Sequence, residues 1–98
     1  MNIVSIDNIK IGKKNYKAFS DSVYANHIGI EFEPNTCNLI SCFSVESGTC
    51  LDIGANIGMT SLLMSDLFQE VYSFEPAPST FKILQKNINA NKLKNINA

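Results

Sequence analysis

The chain has no tryptophan and no arginine, and a single histidine. The missing arginine removes the planar guanidinium fork that best matches phosphate. With a net charge of -1 as well, the composition predicts no nucleic-acid partner and no attraction to an anionic membrane. His27 stands alone in a polar setting and reads as a surface residue. Three cysteines, Cys37, Cys42 and Cys50, are an odd set whose spacing fits no zinc pattern. They are expected to be small buried apolar residues in a reducing compartment, and no metal site is expected. No apolar run is long enough to span a bilayer. The first residues lack the basic region and apolar run of a signal peptide, so a cytoplasmic protein is the default expectation.

What is present is a globular composition, 45% apolar over 98 residues, enough for one domain at most. Charge is unevenly spread. Four lysines lie between Lys10 and Lys17 and four between Lys82 and Lys94, while Phe19 to Phe81 holds eight acids and neither lysine nor arginine. One stretch organises the rest: Thr49-Cys50-Leu51-Asp52-Ile53-Gly54-Ala55-Asn56-Ile57-Gly58-Met59-Thr60. A short apolar run meets an acid, then two spaced glycines, then a helical pattern. That is the order of strand, tight loop and helix N-terminus in a nucleotide-binding α/β unit.

Before it, Ile3–Ile6 and Asn8–Ile11 read as short strands, Gly12–Asn15 as a turn and Tyr16–Phe19 as a returning strand, with lysines on the solvent face. Ser20–Ser22 is a loop or helix cap. Gly29–Glu33 alternates like a further short strand. After Pro34, Asn35 or Thr36 caps a helix to about Val45, with Leu39, Ile40 and Phe43 on one face. Thr49–Ile53 is the first parallel strand, expected to be covered on both faces. A helix follows from Ile57 or Gly58 to Phe68. Glu70–Glu75 is the second strand, and Ala77–Thr80 opens a helix ending near Asn89–Asn91. Ile96 begins a third strand.

Asp52 and Glu75 end successive parallel strands, so both carboxylates are expected at one carboxyl edge, where ligands bind. Glu75 follows the glycine loop by about the ~20 residues at which an acid accepts ribose hydroxyls. A dinucleotide fingerprint fails, because Asn56 and Met59 stand where its second and third glycines belong. No P-loop lysine follows. An acid just before the loop suits a cofactor with a cation and an amino group, and S-adenosyl-L-methionine has both. A nicotinamide or flavin site and a ligand-free structural loop remain as alternatives.

Leu51-Asp52-Ile53-Gly54-Ala55-Asn56-Ile57-Gly58, then Phe74-Glu75-Pro76, then the helix with Phe81, Leu84 and Asn87, closely resembles the FkbM-type S-adenosylmethionine-dependent methyltransferases. The resemblance covers roughly Gly48 to Ala98. It implies an α/β fold, part of a Rossmann-like class I methyltransferase sheet with flanking helices, preceded by a small hairpin and helix. Residues 1–47 would be the hairpin and lead-in helix, and 48–98 the N-terminal half of the cofactor-binding domain, truncated near the third strand. Asp52, Gly54, Ala55, Asn56 and Gly58 would surround the methionine part of the cofactor. Glu75 would hold the ribose, and Pro76 would lie near the adenine. The implied reaction is O-methylation of a sugar, polyketide or related metabolite, with a small-molecule or glycan acceptor. No catalytic residue is assigned; Glu33, Tyr24 and His27 are the acceptor-side residues considered. The other readings are a non-catalytic adenosine-cofactor-binding module and an interaction fragment that self-associates through an open sheet edge.

Overall fold

A computed structural model describes residues 2–98. The chain opens with an antiparallel hairpin, β1 (Ile3–Ile11) and β2 (Lys14–Asp21). The register shifts between Ile6 and Ile9, a bulge that separates the two short runs seen in the sequence. Alternation decides the faces of β2: Tyr16, Ala18 and Ser20 are buried, whereas Asn15 and Lys17 are exposed.

Asp21 caps α1 (Ser22–Ile28), its Oδ1 accepting the Tyr24 N–H at 2.8 Å. The strand expected at Gly29–Glu33 reduces to one parallel bridge, Lys10 with Glu31. Its backbone bonds run from Lys10 N–H to Ile30 C=O and from Phe32 N–H to Lys10 C=O. Gly29 turns the chain with a positive φ, leaving too few extended residues for a ladder. α2 (Pro34–Cys42) starts earlier and stops sooner than the sequence suggests. Proline takes the first helical position, so Glu33 is the cap, not Asn35 or Thr36. The face expected from Leu39, Ile40 and Phe43 is not the buried one. Leu39 and Phe43 are exposed, and Cys37 is the residue of α2 that enters the core.

The second half is a parallel sheet, β3 (Thr49–Ile53), β4 (Glu70–Phe74) and β5 (Ile96–Asn97), in the order β3-β4-β5. β3 leads into α3 (Met59–Leu67), and β4 into α4 (Pro78–Ala90). Each strand is laid down beside the previous one in the same direction. Right-handed crossovers then put both helices on the same side of the sheet. That side carries Asp52, Val71, Ser73 and Ile96, all buried. The other side is bare, with Leu51 60% and Ile53 72% exposed, joined by Tyr72 and Phe74. The expectation that β3 is covered on both faces therefore fails. A continuous apolar run does not tell whether helices lie on one side or two.

The hairpin forms a third layer against the helices. Tyr16 Oη donates to the Leu62 carbonyl at 3.3 Å. Ile9, Ile11, Tyr16 and Ala18 share one core with Leu62, Leu63, Ile83 and Leu84. Two asparagines, Asn87 of α4 and Asn91 at its C-cap, stitch the seam with β2. Asn87, fully buried, accepts the Phe19 N–H at 2.6 Å and donates to the Phe19 carbonyl at 3.1 Å and the Ile57 carbonyl at 2.7 Å. Asn91 accepts the Lys17 N–H at 2.9 Å and donates to the Lys17 carbonyl at 2.7 Å and the Asn87 carbonyl at 2.8 Å.

The cysteines depart in part from expectation. Cys37 is buried and donates to the Phe32 carbonyl at 3.3 Å, but Cys42 is exposed and Cys50 half-buried. Among the described residues no helix is long and apolar enough to cross a membrane, and no cluster of His, Cys, Asp or Glu is placed to hold a metal ion.

Candidate functional site at the carboxyl edge of the sheet

The loop after β3 folds back onto the end of β4. The Gly54 and Ala55 N–H groups both donate to the Phe74 carbonyl at 2.9 Å, and the Gly58 N–H donates to the Ala55 carbonyl at 3.0 Å. Its two glycines serve different needs. Gly54 has φ +73° and open space where a Cβ would stand, so conformation alone selects it. Gly58 has φ +101°, and a Cβ there would meet Leu84 Cδ1 at 2.6 Å. It is the point where the start of α3 presses on α4. Between them, Ala55 and Ile57 are buried and Asn56 is exposed with φ +55°, a left-handed conformation asparagine tolerates.

Glu75 sits just past β4, and its carboxylate closes the site. Oε1 accepts the Asn56 N–H at 2.8 Å, and Oε2 accepts the Ala77 N–H at 3.1 Å. One side chain thus pins the glycine loop to the entry of α4. A carboxylate has about four lone-pair sites, so each oxygen can accept one further hydroxyl. Glu75 is half-buried, and Gly54, Asn56 and Pro76 around it are exposed. The arrangement can hold a vicinal diol from the solvent side, with the acceptor oxygens already oriented by backbone.

Asp52 does not join Glu75 at that edge. It is 7% exposed, and its Oδ2 accepts the Ser61 hydroxyl at 2.6 Å. Ser61 Oγ lies 2.6 Å from Ser73 Oγ. Ser61 has one proton and gives it to Asp52, so Ser73 donates to Ser61. Register explains the placement. Asp52 is paired with Ser73, on the face that α3 covers. Glu75 has the same parity but lies beyond the ladder, free to turn to the loop. The structure therefore brings together Gly54, Ala55, Asn56, Gly58, Glu75 and Pro76, and turns Asp52 inward beneath them. Sequence reasoning missed Ser61 and Ser73. The serine three residues into the next helix, below a strand-end acid, was the available signal.

Of the acceptor-side residues, Tyr24, His27 and Glu33 line a separate cleft of about 240 Å³ with Ile28, Glu31 and Phe32. Burial pushes the Tyr24 phenol above its ordinary range, aided by Glu33 and Asp21.

No family model matches the chain. It is 31% identical to Methyltransferase 1 of Beauveria bassiana over 79% of this chain and 34% of that one. The chain thus spans about a third of the length of that curated relative. Two solved structures share the fold. The tRNA m1G37 methyltransferase of Methanocaldococcus jannaschii has a TM-score of 0.65 at 20% identity, covering 85% of this chain and 26% of that one. Phosphoethanolamine N-methyltransferase 1 of Haemonchus contortus, solved with phosphoethanolamine and S-adenosylhomocysteine, has a TM-score of 0.55 at 22% identity, covering 63% of this chain and 13% of that one.

These neighbours overturn the exclusion of nucleic acid. The fold that covers most of this chain serves a tRNA methyltransferase. Lack of arginine is a poor ground for exclusion, because lysine also binds phosphate, as a point charge. The chain has the Rossmann-like α/β fold of class I methyltransferases and is homologous in sequence to one methyltransferase.

Proposed function

We propose that this chain is the cofactor-binding part of an S-adenosyl-L-methionine-dependent methyltransferase. The observation that carries the reading is Glu75: a carboxylate held by two backbone N–H groups at the sheet's carboxyl edge, with lone pairs left for a ribose diol. The fit extends to Gly54, whose missing Cβ leaves the loop open to solvent at that edge. Homology to a methyltransferase supports the same cofactor.

Bound there, the cofactor supplies an electrophilic methyl group on a sulfonium. The chain's own residues orient it. Glu75 fixes the ribose end, the Gly54–Gly58 loop borders the methionine end, and Pro76 lies beside Glu75 toward the adenine. Asp52 acts from below, through Ser61, by holding the strand end from which the loop springs. Residues 48–98 form the cofactor half, and 1–47 lead into it and brace it. The resemblance to FkbM-type enzymes supports oxygen on a sugar or polyketide as acceptor. The fold neighbours act on tRNA and phosphoethanolamine by name, which widens the acceptor class to phosphate-bearing molecules.

Titration calorimetry of the chain with S-adenosylmethionine, and with NADH in parallel, tests the reading. Saturable binding of the former alone is expected. Two hydroxyl bonds to a charged acceptor are each worth roughly 1.5–3 kcal/mol, so Glu75→Gln should weaken binding by at least about tenfold. A thermal melt of the variant shows whether the loop has stayed folded. Binding of NADH in place of S-adenosylmethionine, or undiminished binding by a folded Glu75→Gln, overturns the assignment.

A further inference from the structure

The lysines are segregated in the sequence, and the fold gathers part of them into one line. Lys10 and Lys14 are taken up by acids, at 3.9 Å from Glu31 and 2.6 Å from Asp66. Lys17, Lys82 and Lys86 have no acidic partner within ion-pair distance among the described residues. The Asn87 and Asn91 bonds lay β2 alongside α4, with Lys17 beside Asn91 and Phe19 beside Asn87. Lys17 and Phe19 share the outer face of β2 by alternation. Lys86 Nζ lies 4.3 Å above the Phe19 ring, and Lys82 precedes it by one helical turn. Three ammonium groups and an aromatic ring therefore follow a single seam.

The seam leads to the site. Pro78, the first residue of α4, comes directly after Ala77, whose N–H binds Glu75. There a cleft of about 540 Å³ opens, lined by Ile3, Pro78, Ser79, Lys82, Ile83 and Lys86. Its floor is apolar, and one wall carries both lysines. Asp21 is not part of the lining; it pairs with Ile3 in the hairpin, and one of its carboxylate oxygens is taken by the Tyr24 N–H.

We propose that this seam binds a single-stranded RNA segment, its phosphates on Lys17, Lys86 and Lys82 and a nucleoside in the cleft, and so delivers the acceptor to the cofactor edge. The stripe is one lysine wide, which matches a strand rather than a broad anionic surface. The contact with Phe19 restrains the Lys86 side chain before any ligand arrives, which lowers the entropic cost of binding. The apolar floor beside fixed positive charge suits a base or sugar attached to a phosphate. The proposal rests on the methyltransferase reading only for where the strand is delivered.

The test is fluorescence anisotropy of a labelled single-stranded RNA of about 12 nucleotides with the 98-residue chain, without cofactor. Three phosphate contacts should give a log–log salt slope of about -2, or roughly 20-fold weaker binding between about 50 and 200 mM salt. Lys82→Ala with Lys86→Ala should reduce that slope to about -0.7 and weaken low-salt binding at least about tenfold. Lys13→Ala with Lys94→Ala removes the same charge from exposed sites off the seam and should change affinity by less than about twofold. No RNA binding at low salt, equal loss in both double variants, or competition by a nucleoside monophosphate as effective as by the strand would each overturn the proposal. Calorimetry with S-adenosylmethionine is read separately, so failure of the cofactor assignment leaves this result standing.

Discussion

Asn87 and Asn91 make the same number of hydrogen bonds across the same seam, and they should differ greatly in what they contribute. Asn87 is fully buried, and Asn87→Ala leaves the part-buried Phe19 N–H and the buried Ile57 carbonyl without their partner. A buried polar group left without a partner costs about 1–3 kcal/mol, so the two together predict a loss of roughly 2–6 kcal/mol. That is a large part of the about 5–15 kcal/mol that holds a typical domain folded. At about 4–8 °C per kcal/mol for a domain of this size, the melting temperature should fall by roughly 8–48 °C. Asn91 is half-buried, and its bonds to Lys17 are exposed. Water replaces them in Asn91→Ala, so the loss should stay below about 1 kcal/mol. Urea denaturation followed by far-ultraviolet circular dichroism reads both values. Hydrogen exchange at the Phe19 amide should quicken in the first variant and hardly change in the second. If the two variants lie within 1 kcal/mol of each other, counting bonds would have served as well as weighing burial, and the reasoning fails.

Further outcomes follow from the loop and from the buried thiols and phenols. Gly58→Ala combines a positive φ with a Cβ 2.6 Å from Leu84 Cδ1; it should cost about 1–3 kcal/mol in a melt, and less when introduced into a Leu84→Ala background, where the clash is gone and the strain remains. Burial raises the Cys37 and Cys50 thiols and the Tyr16 phenol above their ordinary values. The folded chain therefore favours their protonated forms, and the unfolded chain ionises first as pH rises. Stability should be level below the ordinary thiol range of about 8.5 and fall progressively above it; melting temperatures that rose between about pH 8.5 and 10.5 would contradict this.

Most element types were legible, because their local signals had one physical cause; the short strand expected at Gly29–Glu33 was the exception. Alternation in Tyr16–Phe19, turn residues at Gly12 and Lys13, and helical spacing of Leu84 and Ile88 all agree with the fold. The glycine loop was legible for the same reason, since positive φ at Gly54 and Gly58 restricts what can stand there. Faces were not legible where parity competes with position. Asp52 at a strand end looked like an edge residue, yet its pairing with Ser73 turns it under α3. The bare side of the sheet was hidden too, because handedness of crossovers, and not residue type, puts α3 and α4 together. Nor could the sequence reveal that Lys17 and Lys86 share a seam, since they are brought together by long-range contacts of β2 with Asn87, Asn91 and Lys86.

That seam joins segments far apart in the chain: Phe19 meets Asn87 across 68 residues, and Lys17 meets Asn91 across 74. The hairpin is made early and can reach α3 through Tyr16 and Leu62, but its seam with α4 stays open until that helix exists. During synthesis at about 5–20 residues per second, it would wait roughly 3–15 seconds for its asparagine anchors. Through that interval Ile9, Ile11 and Ala18 lack their full cover, and the closing step carries the entropy of a long loop. Folding should therefore be slow for a chain this short, with the glycine loop, which Asn87 grips at Ile57, settling in the same late step that docks the hairpin.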